Sequence, residues 1–323
     1  MILTRSPYRI TLGGGGTDRP DFYTKHGGFV VSMAIDKYIY LGLKPDPLEK
    51  KIKVRYLDTE IVNTLDELKH DRAREALRLH DLNHSIEVNS CGDVPGKTGL
   101  GSSGSYLVAL LNAIRHHKKE YCTKAELAEE ACNIEMNTLR LPVGKQDQYM
   151  AAFGGLKILD IKTSGSVEVS PPEIKKEALS ALTNNLQVYF LKKKRNASDV
   201  LSQQNCSRKG NEERLLKIKE MGYRTLEMLE GGNFDEYGLM LDEYWSLKKQ
   251  FSPDISFGLA DQLYSELKER FNILGGKILG AGGGGFLMIY TPKNHAEIEK
   301  FMLDNSIIRL RYKPDHEGSK ILL

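Results

Sequence analysis

The chain has 323 residues, a formal net charge of +3, and 40 % apolar and 28 % charged residues. That is enough length for two lobes over a shared core, and too little charge to argue for a nucleic-acid or membrane partner. Cys91, Cys122, Cys132 and Cys206 form no C-x-x-C pair and no zinc-like spacing; with no signal-type segment and no apolar run of membrane-spanning length, a cytoplasmic protein is expected.

In chain order, residues 2–12 read as a strand in which Pro7 marks an edge or a bulge. Residues 13–18 turn sharply, 28–43 read as two β-rich runs around Asp36, and 52–57 alternate as a further strand. Residues 64–80 read as a charged amphipathic helix with a solvated face, and 85–90 (SIEVNS) as a strand. Helices are expected over 102–118 and 124–137, the second capped by Thr123. Residues 138–145, with Pro142 and Gly144, are irregular and lead into 146–153 and a strand over 155–161.

Residues 165–172 look like a turn region and divide the chain into units of 1–165 and 166–323. Beyond a short strand at 186–191 and a basic run at 192–195, helical patterns occupy 198–206, 212–229, 235–250 and 257–271. Strands at 277–279 and 286–290, a helix at 295–304 and a strand at 307–312 close the chain. Strands early, paired helices in the middle and alternation late make an α+β pattern.

The stretch around which the rest is organised is PGKTGLGSSGS, residues 95–105. A glycine-dense loop that opens a helix leaves backbone N–H groups at the positive end of the helix dipole, a geometry suited to phosphate or another anion. Gly99 and Gly101 permit close backbone approach, and Ser102 and Ser103 add hydroxyls for a phosphate oxygen or a divalent cation. Two more glycine clusters lie at 13–16 and 280–285. No G-x-x-x-x-G-K-[ST] occurs. G-x-G-x-x-G occurs at 99–104 and again at 280–285, so the pattern is a weak signal; before 99–104 the candidate strand ends about eight residues too early, and no acidic ribose ligand is marked, which disfavours a dinucleotide site.

Phosphoryl transfer also needs acids. Asp147, in GKQDQY, reads either as a helix-start cap or as a carboxylate working beside the phosphate loop. Glu135 ends a helix, where the dipole disfavours an anion; solvation or a nearby cation would each account for it. Asp18 suits a polyol hydroxyl or a plain turn. Arg9 is either a solvent-facing strand residue or a guanidinium aimed at phosphoryl oxygens. The run 192–195 is a phosphate-binding patch or a solvated loop. The histidines show no ligand spacing.

Taken in order and spacing, SPYRITLGGGGTD (6–18), VPGKTGLGSSGSYLV (94–108) and ILGAGGGGF (278–286) resemble the three motifs of the GHMP small-molecule kinases. The resemblance implies a ribosomal-protein-S5-like N-terminal domain and a ferredoxin-like C-terminal domain with the active site between them. Within that superfamily, GGGTD together with QDQYMAAFGG (146–155) looks like the D-glycero-D-manno-heptose 7-phosphate kinases and their fucokinase relatives, and YFLKKKRNASDVL (189–201) resembles a segment of the former. It implies ATP and Mg²⁺. Lys97, Thr98, Gly99, Leu100, Gly101, Ser102 and Ser103 would wrap the ATP phosphates, and Ser103 with Glu135 would hold Mg²⁺. Asp147 would be the catalytic aspartate with Arg9 beside it. Gly15, Gly16, Thr17, Asp18, Lys145, Arg195, Gly283 and Gly284 would face the substrate. Lys145 departs from the small residue usual in the family; it adds charge near a phosphate or points to solvent. The expected activity is phosphorylation of the anomeric hydroxyl of the heptose phosphate. The alternatives are a free-sugar kinase, a non-catalytic sensor on the same fold, and a decarboxylase of the mevalonate branch, the last disfavoured by the sugar-type first motif.

Overall fold

The computed structural model describes residues 1–192, 206 and 210–323. Its first strand, β1 (Ile2–Gly13), runs beside the 18-residue β2 (Gly28–Pro45), with the short helix α1 (Pro20–His26) between them in sequence. The two runs expected around Asp36 are therefore one strand. Asp36 does not break it, because its N–H donates to the Lys313 carbonyl and its carboxylate accepts from the Lys313 N–H, both at 2.8 Å. What the pattern sensed is a bulge: the register with β1 shifts between Pro7 and Tyr8, opposite that point.

The length of β2 lets it serve two partners on its far edge. Gly28–Met33 pair with β6 (Leu156–Ile161), and Ile39–Pro45 with β5 (Ile86–Gly92). Beyond β5 lie β3 (Ile52–Arg55) and β4 (Thr59–Val62), and beyond β6 lies β7 (Val167–Ser170). The expected division at 165/166 falls inside the β6–β7 hairpin, whose turn is Gly165 at φ +89°. The sheet thus continues to Ser170. It is completed from the other end of the chain by β12 (Lys320–Ile321), which pairs with Thr4 and Arg5 of β1.

The helix expected over 64–80 is a 3₁₀ turn (Leu65–Glu67) followed by α2 (Asp71–Leu79). Helix α3 (Ser102–Lys118) is apolar around most of its circumference, from Tyr106 to Ile114, and so lies in the core rather than on it. Helix α4 (Lys124–Asn133) starts with a full capping box from Thr123 and Glu126 and runs into a π-helical turn, Ile134–Thr138. Helix α5 (Gln146–Phe153) packs against both α3 and α4.

After α6 (Lys176–Asn185), which the sequence pattern did not mark, a four-stranded antiparallel sheet forms in the order β11 (Ile308–Leu310), β8 (Leu186–Phe190), β10 (Phe286–Tyr290), β9 (Gly275–Ile278). Helices α7 (Asn211–Glu230), α8 (Phe234–Lys249), α9 (Gly258–Phe271) and α10 (His295–Asp304) accompany it. The helix expected over 198–206 lies, but for Cys206, outside the described residues. Tyr8, Ile10 and Leu12 of β1 share one buried cluster with Trp245, Met288 and Ile289, so the two sheets are joined by a continuous core. No helix among the described residues is long and apolar enough to cross a membrane.

Candidate active site

All three glycine clusters meet at one cavity of about 370 Å³. Gly15, Gly16 and Asp18 line it from the first loop, Lys97, Gly99, Gly101, Ser102 and Ser103 from the second, and Gly280 and Ala281 from the third. Arg9 enters from the middle of β1 and Asp147 from the first turn of α5.

Arg9 is 6 % exposed, which removes the solvent-facing reading of its strand position. Its guanidinium holds Asp147 Oδ1 through Nε at 2.8 Å and Nη2 at 2.6 Å, and donates from Nη1 to the Gly99 carbonyl at 2.6 Å. Asp147 is not a cap: α5 begins without a side-chain cap bond, at Lys145. Its carboxylate instead lies against the second glycine loop, where a side chain at Gly101 or Gly104 would crowd it. A Cβ on Gly101 would stand 3.2 Å from Asp147 Cγ, and one on Gly104 would stand 2.8 Å from Asp147 Cβ.

The second loop is held from behind. The Arg9 N–H donates to the Leu100 carbonyl at 3.0 Å, and Thr98 Oγ1 donates to the Pro95 carbonyl at 2.8 Å. Thr98 and Leu100 are both fully buried, so they shape the loop and offer no side chain to a ligand. Gly101 sits at φ +82° and starts α3 with no side-chain cap. The first N–H groups of the helix are thus left to a partner outside it, as an anion site requires. The third loop presses on the second: a Cβ on Gly285, itself at φ +85°, would stand 2.0 Å from the Thr98 carbonyl oxygen. Gly285→Ala is therefore expected to lose about 1–3 kcal/mol of stability from backbone strain alone, read as a lowered thermal midpoint.

Asp18 is buried and accepts from the Gly16 N–H at 3.1 Å and the Gln146 N–H at 3.0 Å, which tie the first loop to α5. Burial raises its pKa above the ordinary carboxylate value, against the pull of the Gln146 N–H. Gly15 keeps its place in the cleft, its carbonyl accepting from the Tyr244 hydroxyl at 3.2 Å.

Four expectations need correction. Thr17 is fully buried, its hydroxyl donating toward the Gly14 and Phe29 carbonyls and accepting from the Phe29 N–H; it braces the turn and does not face a ligand. The Lys145 ammonium points neither to a phosphate nor to solvent: it is held by both Glu129 oxygens at 2.6 and 2.8 Å and by the Gly165 carbonyl at 2.6 Å. Gly283 and Gly284 do not line the cleft. The Gly283 N–H is used by the Ile255 carbonyl at 2.6 Å, and the lining positions of that loop are Gly280 and Ala281. Glu135 is not an open metal ligand. It is 1 % exposed, on the π-helical turn, and its oxygens accept from Arg72 Nε at 2.7 Å and Gln148 Nε2 at 2.5 Å. Burial raises its pKa, opposed chiefly by the Arg72 charge. Among the described residues no group of three or more His, Cys, Asp or Glu is arranged to hold a metal. Arg195 lies outside the described residues.

The structure adds residues that the sequence pattern hid. Lys277, on β9, lines the cleft while 2 % exposed; its ammonium donates to the Leu12 carbonyl at 2.9 Å and lies 4.1 Å from the centre of the Tyr244 ring. Burial, with Lys248 and Arg9 nearby, drives its pKa well below the ordinary lysine value. Its only trace in the sequence is a lysine preceding the third glycine motif. Gln146 crosses the floor of the site, donating to Thr11 Oγ1 at 2.6 Å and Ser32 Oγ at 2.8 Å. A second cavity, of about 670 Å³, adjoins the second glycine loop and is lined by residues that include Tyr8, Tyr56, His70 and Tyr106.

Residues 63–155 match the family of GHMP kinases N terminal domain. The chain is 28 % identical, over 90 % of its length and 89 % of the relative's, to the D-glycero-alpha-D-manno-heptose 7-phosphate kinase of Campylobacter jejuni subsp. jejuni serotype O:2. It is 27 % identical to the L-fucokinase/L-fucose-1-P guanylyltransferase of Bacteroides fragilis, of which it spans 36 % while 95 % of this chain is covered. A crystal structure of a D-glycero-D-manno-heptose 1-phosphate kinase from Bacteroides thetaiotaomicron superposes with a TM-score of 0.82 at 23 % identity, covering 100 % of this chain and 99 % of that one. The fold is that of this crystal structure.

Proposed function

We propose, from the premise that this chain carries a GHMP kinase N-terminal domain, that the protein is an ATP- and Mg²⁺-dependent sugar 1-kinase whose acceptor is D-glycero-D-manno-heptose 7-phosphate. The observation that carries this reading is the Arg9–Asp147 pair, fixed between the anion-binding start of α3 and the loop that bears Asp18. The aromatic second cavity suits a nucleoside base, and Lys97, Ser102 and Ser103 line both cavities, so a triphosphate would run from one to the other across the loop.

In this reading Asp18 and the first loop receive the sugar, and Asp147 accepts the proton of the anomeric hydroxyl as that oxygen bonds to the γ-phosphorus and the bond to the bridging oxygen breaks, leaving ADP. An anomeric hydroxyl is comparatively acidic, which eases the demand on the base. Arg9 holds Asp147 Oδ1 and aims it. The N–H groups of residues 101–103 take up phosphate charge as it shifts toward the leaving group. Mg²⁺ would supply further neutralisation of phosphate charge, with the Ser103 hydroxyl as its protein contact. Arg19 and Lys248 add positive charge to the acceptor side, in keeping with an anionic substrate. Arg195 is assigned to the distal phosphate on its sequence position alone.

The second reading, a free-sugar kinase, draws on the likeness to the fucokinase of Bacteroides fragilis. An ADP-release assay with Mg-ATP separates the two. With heptose 7-phosphate, its dephosphorylated form, mannose 6-phosphate, fucose, galactose and mevalonate as acceptors, the heptose phosphate is expected to exceed its dephosphorylated form by about 100-fold or more in kcat/KM, the scale of one to two lost charged contacts. Turnover confined to a free sugar would move the protein to the second reading. Absence of turnover on every sugar with ATP still bound would overturn the acceptor assignment.

A further inference from the structure

We propose that Arg72 is a phosphate-binding residue of the nucleotide site, and that Glu135 is its positioning residue rather than a metal ligand. The inference rests on the nucleotide reading above.

Five residues line both cavities and so form the neck between them: Asp71, Arg72, Lys97, Ser102 and Ser103. A polyanion reaching from the aromatic cavity to Asp147 has to cross this neck. Arg72 and Lys97 are its cations. Lys97 comes from the second glycine loop itself, whereas Arg72 comes from the first turn of α2, a separate element. Cations from two elements can hold a phosphate chain together, and a guanidinium does so in a fixed plane.

The way Arg72 is held supports a ligand role more than a structural one. Its Nε donates to Glu135 at 2.7 Å and its Nη1 meets Asp71 Oδ1 at 3.2 Å. Among the described residues these bonds use two of the five N–H donors that a guanidinium carries. Glu135 is itself fixed by Gln148, the residue after Asp147, so the carboxylate that aims Arg72 hangs on the same helix turn as the catalytic group. Glu135 lies, buried, on the π-helical turn, which packs against α2. Read in this way, a buried carboxylate whose two oxygens are already taken is no anomaly of a metal site. It is the counter-charge that keeps a long side chain extended into the neck. Asp71 is the opposing feature: its charge lies in the neck as well, and its bonds to the Arg72 backbone N–H at 2.7 Å and to Arg72 Nη1 limit its cost to an incoming anion.

The test is nucleotide binding by calorimetry on the full chain in buffer with EDTA, using adenosine, AMP and ADP. Arg72→Gln is expected to weaken ADP at least tenfold while adenosine stays within twofold of the unaltered protein, and Arg72→Lys to recover part of the loss. The ligand in the series at which the defect first appears identifies the phosphate that Arg72 contacts. Glu135→Gln is expected to weaken ADP in the same metal-free buffer. Equal loss for adenosine and ADP would make Arg72 structural and overturn the proposal, as would unchanged ADP binding. A Glu135→Gln defect that appears only when Mg²⁺ is added would return Glu135 to the metal and overturn its positioning role. Failure of the unaltered protein to bind either adenosine or ADP would instead overturn the nucleotide reading, and this inference with it.

Discussion

On the proposed role of Asp147 as proton acceptor, Asp147→Asn is expected to lower kcat by about 10²–10⁴-fold, the usual worth of a positioned general base, with ATP binding by calorimetry expected to be retained. The substitution is nearly isosteric, and the retained side-chain oxygen still accepts from the Arg9 guanidinium that now holds Oδ1 at 2.8 and 2.6 Å. Geometry therefore survives and the proton acceptor does not. A thermal melt checks the companion effect. Arg9 has a side chain only 8 % exposed and loses its anionic partner, so some stability is lost with the activity. Full activity in this variant would remove Asp147 from the mechanism.

Gly104→Ala is the stronger structural trial, because two effects of opposite sign compete. Gly104 lies inside α3, where alanine would ordinarily stabilise the helix by about 1 kcal/mol. Its Cβ, however, would stand 2.8 Å from Asp147 Cβ and 3.1 Å from both the Asp147 carbonyl carbon and the Gln148 nitrogen. Two of those three atoms are backbone at the start of a helix and cannot turn aside. Crowding of this kind costs about 1–3 kcal/mol, so the net effect is destabilising. Asp147 is displaced with α5, and a misplacement near 1 Å costs about 10²-fold in rate. Thermal melts and kcat on the same sample read both. A Gly104→Ala protein that is more stable and fully active would mean that α5 does not press on α3 as described.

How much of this could be read from the chain depends on whether a residue's role is local. Gly99, Gly101, Ser102 and Ser103 announce themselves because glycine density before an apolar run has few other uses, and the structure lines the cleft with them. Arg9 and Asp147 lie far apart in sequence, and only the resemblance to a family brought them together. Arg72 escaped because it belongs to a helix whose many charges read as a solvated face; its burial against Glu135 is a tertiary fact with no periodicity of its own. Lys145 misled for the same reason: a lysine beside Gln146 and Asp147 looks like a site residue, and only Glu129 and Gly165, brought close by α4 and the β6–β7 turn, reveal where its charge goes. The joining of 28–43 into one strand was hidden by Asp36, whose partner is Lys313, near the far end of the chain.

The pairing of β12 with β1 bears on the order in which the sheet closes. Thr4 and Arg5 wait for Ile321 and Lys320 to cover their edge, and the strand they belong to is the one that carries Arg9. Until Lys320 and Ile321 reach it, this edge of β1 stays open and exposed to pairing with other chains. Contacts at such separation are slow to close. The guanidinium that holds Asp147 thus sits on a strand whose edge is closed only by a contact of very long sequence separation.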